Sequence, residues 1–236
     1  MVTQSSESTY LGVGLYSIPE AARIIGTPPS TLRSWVKSYT STVRGKEIIR
    51  KPVIPRALGS NQPVLTFIEL MELLSVKGFR EAGVSMATIR KAAQRGIGRL
   101  NTPYPFASHR FETDGKHIFA ALQNEEDGHT NFEDIVRSQQ AMEQVIIPLF
   151  HRFDFRTNHL IGAFWPRTKQ GRIVLNPFRS FGKPLDAETG VPTAALYDAR
   201  RANQSETLER IAWWFDVPLA AVEAAVEYEQ SLQRAA

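Results

Sequence analysis

The 236-residue chain contains no cysteine. Disulfide staples, thiolate metal sites and cysteine nucleophiles are therefore excluded, and the fold must rest on its apolar core. Long apolar runs are also missing, since no stretch approaches the ~18 consecutive residues of a membrane helix. Residues 1–9 lack the basic-then-apolar order of a secretory leader, so the expected address is the cytoplasm, with no membrane contact. No glycine-rich phosphate loop, nucleophile elbow or acid pair stands out. His151, Asp154 and His159 lie close together, but their spacing puts no three ligands on one helical face. No metal, cofactor or catalytic residue is expected, and the chain reads as a non-enzyme.

What is present is ordinary in amount and uneven in arrangement. Hydrophobic content of 42% and charged content of 22% are those of a globular protein. The length suits one large domain or two to three small ones. A formal charge of +4 is only mildly basic. Residues 21–56, however, hold eight cations (Arg23, Arg33, Lys37, Arg44, Lys46, Arg50, Lys51 and Arg56) against Glu47 alone. Residues 203–236 hold six acids (Glu206, Glu209, Asp216, Glu223, Glu227 and Glu229) against Arg210 and Arg234. One end should attract phosphate and the other should not.

The basic end reads as a helix-turn-helix. Ser17-Ile18-Pro19-Glu20 supplies an N-cap, an early proline and a capping-box glutamate. Ile18, Ala21, Ala22 and Ile25 follow at helical spacing, and Gly26 ends the helix. Pro28 and Pro29 suit the first turn of the next helix, where N–H groups lack intrahelical partners, and Thr27 is the expected cap. In that second helix Leu32, Trp35, Val36 and Tyr39 form an apolar stripe. Ser30, Arg33, Ser34 and Lys37 repeat the spacing two residues earlier, about 200° around the axis. A helix entering the major groove needs that division. The DNA-binding candidates are therefore Ser17, Ser30, Thr31, Arg33, Ser34 and Lys37. Residues 40–64 read as a wing, adding Arg44, Lys46, Arg50, Lys51 and Arg56 for backbone or minor-groove contact.

Further along, Thr66-Phe67-Ile68-Glu69 is a second capping box, and Gly83-Val84-Ser85 closes that helix and caps the next. Asp114-Gly115 suggests a hairpin turn across residues 111–119. Thr130-Asn131-Phe132-Glu133 should cap a long helix that Pro148 kinks or ends. A strand pair is expected at residues 160–165 and 172–175, then a connector at 176–192. Ser205 is the expected cap of a helix burying Leu208, Ile211, Ala212 and Phe215. Asp216-Val217-Pro218 starts another, using Leu219, Val222, Ala225 and Val226. Glu223 and Glu227 on its outer face would repel phosphate, so this end should bind protein. Arg200 and Arg201 can cap a helix C-terminus. Trp213 and Trp214 are adjacent, so both cannot face one core. Either Trp214 is buried with Trp213 half-covered, or Trp213 belongs to a partner interface. The fold class expected is mainly α with small β elements, α+β. Its parts are a winged helix-turn-helix at 1–98, a central α+β connecting region at 99–172 and a helix-turn-helix-like module at 173–236.

From Tyr16 to about Gln94 the chain resembles the winged helix-turn-helix of the MerR superfamily. Tyr16-Ser17-Ile18-Pro19-Glu20-Ala21-Ala22 and Ser30-Thr31-Leu32-Arg33-Ser34-Trp35 carry the likeness. Pro28 stands where that pattern usually has a capping serine, and the family's long heptad dimerisation helix is missing. The end, through Ile173-Val174-Leu175-Asn176-Pro177, Phe181-Gly182-Lys183-Pro184 and Gly190-Val191-Pro192-Thr193, resembles a helical module found in antitoxins beside PIN-domain ribonuclease toxins. The combination resembles a VapB-type antitoxin with an added DNA-binding domain. That resemblance implies a type II antitoxin that neutralises a PIN-domain toxin and represses its own operon at operator DNA. An arginine at 200 or 201 would then approach the toxin's acidic centre, with Trp213 in the same interface. A homodimer is implied by half-sites about 34 Å apart. The alternative is a MerR-like regulator whose C-terminal half senses a ligand or protein.

Overall fold

The computed structural model describes residues 13–43, 46–58, 62–124 and 132–234. Helices dominate, joined by short antiparallel strands, as the sequence pattern predicts. The described residues form two compact units, the first within residues 16–161 and the second within residues 162–234.

In the first unit β1 (Leu15–Ser17) pairs with β4 (Val64–Thr66), and each runs directly into a capped helix. These are α1 (Ile18–Ile25) and α3 (Phe67–Glu81), both opened by the expected capping boxes. Between them lie α2 (Pro29–Val36) and a hairpin of β2 (Tyr39–Val43) and β3 (Lys46–Arg50), which is the wing. Helix α3 is buried on most of its surface, with Leu70, Met71, Leu73, Val76 and Phe79 fully covered and Glu69, Glu72 and Ser75 buried beside them, so it runs through the core. Ser85 caps α4 (Met86–Leu100), as expected, and Asn101 ends it in the left-handed conformation.

The hairpin expected at 111–119 is instead a helix, α5 (Arg110–Ala120). Phe111, Gly115, Ile118 and Phe119 are its buried residues, and their i, i+4, i+7, i+8 spacing is helical. Gly115 is there for closeness, since a Cβ would stand 2.6 Å from Met142 Cε. Phe111 joins Phe79, Phe106, Phe119 and Phe150 in an aromatic cluster with neighbouring centroids 4.9–6.4 Å apart. Burying those rings outweighs the local turn preference of Asp-Gly.

The long helix is present as α6 (Phe132–Ala141), a π-helical turn (Met142–Ile146) and α7 (Ile147–Phe150). Its expected cap at 130–131 lies outside the described residues. Pro148 ends nothing at once, because the wider π turn before it absorbs the missing N–H and the ring's pressure on the preceding turn. Strand β5 (Phe153–Phe155) follows.

In the second unit β6 (Ile161–Phe164) and β7 (Ile173–Leu175) pair antiparallel where the sequence placed them. The supposed connector at 176–192 contains a further strand, β8 (Pro184–Asp186), in register with β7. Asp186 anchors it, accepting from Arg172 Nε at 2.7 Å and Nη2 at 3.1 Å, and from Thr189 N and Oγ1 at 2.8 Å each. Burial alone would raise the Asp186 carboxyl, but these donors together hold it below the ordinary value. Helices α8 (Thr193–Ala202), α9 (Leu208–Phe215) and α10 (Leu219–Arg234) enclose Leu196, Ile211, Ala212, Ala221, Val222 and Ala225. The cap of α9 is Thr207 rather than Ser205. Thr207 has extended backbone, and its side chain accepts from Arg210 N at 3.3 Å.

Candidate nucleic-acid interface

The junction between α1 and α2 is closed by a Schellman motif. Gly26 has φ 71, its N–H donates to Arg23 O at 3.1 Å, and Thr27 N–H reaches Ala22 O at 2.9 Å. Thr27 is thereby buried in the turn and does not cap α2, contrary to expectation. Pro28 occupies the N-cap position with no side-chain bond, and Pro29 begins the helix. Prolines suffice because their fixed φ starts the helix and they bring no N–H needing a partner.

Leu32, Trp35 and Val36 bury one side of α2. Tyr39, expected on the same stripe, is 42% exposed because Lys37 ends the helix with extended backbone and Tyr39 opens β2. On the other side Ser30, Arg33 and Lys37 are exposed, and Thr31 and Ser34 are half-buried. Ser34 Oγ donates to Thr31 O at 2.7 Å. Arg33 and Lys37 have no hydrogen-bond or ion-pair partner for their charges among the described residues. Ser17 closes the capping box, its N–H 3.0 Å and its Oγ 2.8 Å from Glu20 Oε2.

The wing follows at once. Its register pairs Tyr39 with Arg50 and Val43 with Lys46, which places both cations on β3. Arg44 lies outside the described residues. Lys51 is exposed just past β3, and Ile49 is 71% exposed within it. Two bonds hold the wing's base, Val53 N–H to Trp35 O at 2.8 Å and Arg90 Nε to Lys51 O at 3.1 Å. Arg90 was missed by sequence reasoning. Its signal was a helix, 86–100, with four cations and no acid.

Arg56 is not a wing cation. Its side chain is 3% exposed, with Nε 3.1 Å from Glu69 Oε1, and its Nη atoms donate to Val36 O at 3.2 Å and Val64 O at 2.6 Å. Glu69 is itself fully buried and also accepts from Thr66 N and Ala57 N. A buried guanidinium must be satisfied on all sides, so Arg56 binds the end of α2, the wing's return and the start of α3 into one piece.

In the second unit Arg200 is committed locally, donating to the carbonyls of Asn203, Gln204 and Glu206. Arg201 is exposed, 5.8 Å from the centroid of Tyr197. Trp214 is 41% exposed, not buried, and Trp213 is 69% exposed with Arg210 Cζ 4.5 Å above its ring. The α9 core is made by Ile211 and Ala212, leaving neither indole a full place in it. Among the described residues no three histidine or carboxylate side chains stand close enough to hold a metal, and no helix is long and apolar enough to cross a membrane.

A short helix pair with an unpaired cationic face and an adjoining wing defines a helix-turn-helix DNA-binding module. Residues 14–93 match the family model described as "Putative DNA-binding HTH domain". Over 205 residues the chain is 27% identical to the Mycobacterium tuberculosis protein named "Putative antitoxin VapB45", covering 80% of this chain and 84% of that one. The crystal structure of Rv2018 from Mycobacterium tuberculosis shares the fold, with a TM-score of 0.68 at 23% identity over 92% of this chain and 98% of that one.

Proposed function

We propose that the chain is the antitoxin of a type II toxin–antitoxin pair. Its second unit holds and silences a PIN-domain ribonuclease, and its first unit, as a homodimer, binds and represses the operator of its own operon. The observation that carries this reading is the identity to an antitoxin-named relative along four-fifths of both chains. The unpaired Arg33 and Lys37 support the operator arm. In the toxin arm Arg201 and Trp213 remain accessible, whereas Arg200 serves its own helix end.

Co-expression with the product of the adjacent gene tests the first arm. Co-purification and rescue of growth are expected, and replacing Trp213 with alanine should weaken the complex by about 2 kcal/mol, as interface tryptophans do. Failure to co-purify would overturn the toxin partner. For the operator arm, Arg33→Ala and Lys37→Ala should each flatten the salt dependence of binding by about 0.9 in log–log slope. An operator bound equally well after removal of the first hundred residues would refute it.

A further inference from the structure

Within the first unit a cleft of about 460 Å³ opens between the last turn of α4 and the turn leading to Leu160. The size lies in the ~300–1,000 Å³ range of small-molecule sites. Its walls are chemically one-sided, and no carboxylate lines them. Arg110, exposed at the first position of α5, contributes a guanidinium with no partner among the described residues. His159 adds an imidazole from the facing turn.

The neutral side chains point to the same chemistry. Thr102 Oγ1 accepts from Tyr104 N at 3.3 Å, which leaves its own O–H to donate. Asn158 Oδ1 accepts from Leu160 N at 3.2 Å, which leaves its NH₂ group. At both of these side chains an acceptor is engaged internally while donors remain, and donors beside a guanidinium suit an anion. Leu100 and Leu160 supply apolar surface for a carbon skeleton.

The backbone is a second, independent observation. Asn101 and His159, which both line the cleft, lie in the left-handed region at φ 50 and 63. For histidine that conformation costs energy and persists only where surroundings impose it. They do so here, since His109 N–H donates to His159 O at 2.8 Å and His159 N–H to Arg156 O at 2.9 Å. The wall is held before any ligand arrives.

We propose that this cleft binds a small organic anion, a carboxylate or phosphate monoester carried on a hydroxylated carbon body. The proposal goes beyond the toxin and operator reading and does not depend on it. The test is calorimetric titration of the full chain at low ionic strength with citrate, ribose 5-phosphate and, as the neutral control, ribose. Saturable binding of at least one anion, and none of ribose, is expected; which anion binds separates carboxylate from phosphate recognition. Arg110→Ala should weaken binding by about tenfold or more, the usual size for losing one charge-assisted contact. Arg110 is exposed, so an unchanged urea midpoint serves to show that the variant is folded. The proposal fails if neither anion saturates at millimolar concentration, or if Arg110→Ala binds them as the parent does. It fails equally if the substitution weakens operator DNA alone, because the arginine would then be a backbone-phosphate contact.

Discussion

Replacing Arg56 by alanine should be among the costliest single changes in the first unit. The substitution removes the guanidinium from Glu69, a carboxylate with a fully buried side chain, and strips donors from the carbonyls of Val36 and Val64. Glu69 keeps only the amides of Thr66 and Ala57. Summing each charged hydrogen bond at ~1.5–3 kcal/mol overstates the loss, because water fills part of the gap. Removal of one partner from a buried pair costs about 3–5 kcal/mol, and that is the expected value here. Hydrogen exchange at the buried α3 amides reads it, since those amides report the first unit alone. Adding Glu69→Gln should recover part of the loss, and the cycle should give a coupling of about 1–3 kcal/mol. Arg56→Ala should also weaken operator binding with little change in salt slope, because Arg56 aligns the wing without touching phosphate. A cost below about 1 kcal/mol, the size of an exposed pair, would refute the idea that this cluster sets the interface.

Two glycines in α4 should respond with opposite sign. Gly98 has open space where a Cβ would go, so Gly98→Ala should stabilise by about 1 kcal/mol through helix propensity. At Gly96 a Cβ would lie 2.7 Å from the rigid Pro105 ring, so Gly96→Ala should destabilise by about 1–2 kcal/mol in urea unfolding, the overpacking outweighing the propensity gain. Glu72 supplies a pH test. Burial pushes its carboxyl well above the usual range, and the amides of Phe106 and Ala107 oppose the rise only in part. The folded state therefore keeps a proton that the unfolded state releases from about pH 4.3, so stability falls by about 1.4 kcal/mol per unit as pH rises toward the raised value. Glu72→Gln should abolish that slope in urea unfolding between pH 4 and 8; an unchanged slope would show that Glu72 ionises normally.

The local elements of the interface were legible in sequence because they are short-range devices. The capping boxes at Ser17 and Thr66, the cap at Ser85, the glycine stop at Gly26 and the two faces of α2 depend on neighbours within a turn or two. The acidic and basic ends were equally plain, since charge counts need no coordinates. The residues that went wrong are those whose fate depends on distant partners. Asp114-Gly115 has turn chemistry, but an aromatic cluster assembled from four separate stretches makes that segment a helix. Thr27 would cap α2 if Gly26 did not turn its amide back to Ala22. Arg56 belongs to a basic run in sequence, and only tertiary packing brings Glu69, Val36 and Val64 around it. The cleft at Arg110 and His159 joins residues nearly fifty positions apart and had no linear signature. Sequence by itself determined helix ends, faces and the sign of charge at each end, because those follow from backbone geometry and side-chain type. Tertiary structure decided which polar groups are buried and which stay free for a ligand, because desolvation depends on everything that packs around a side chain.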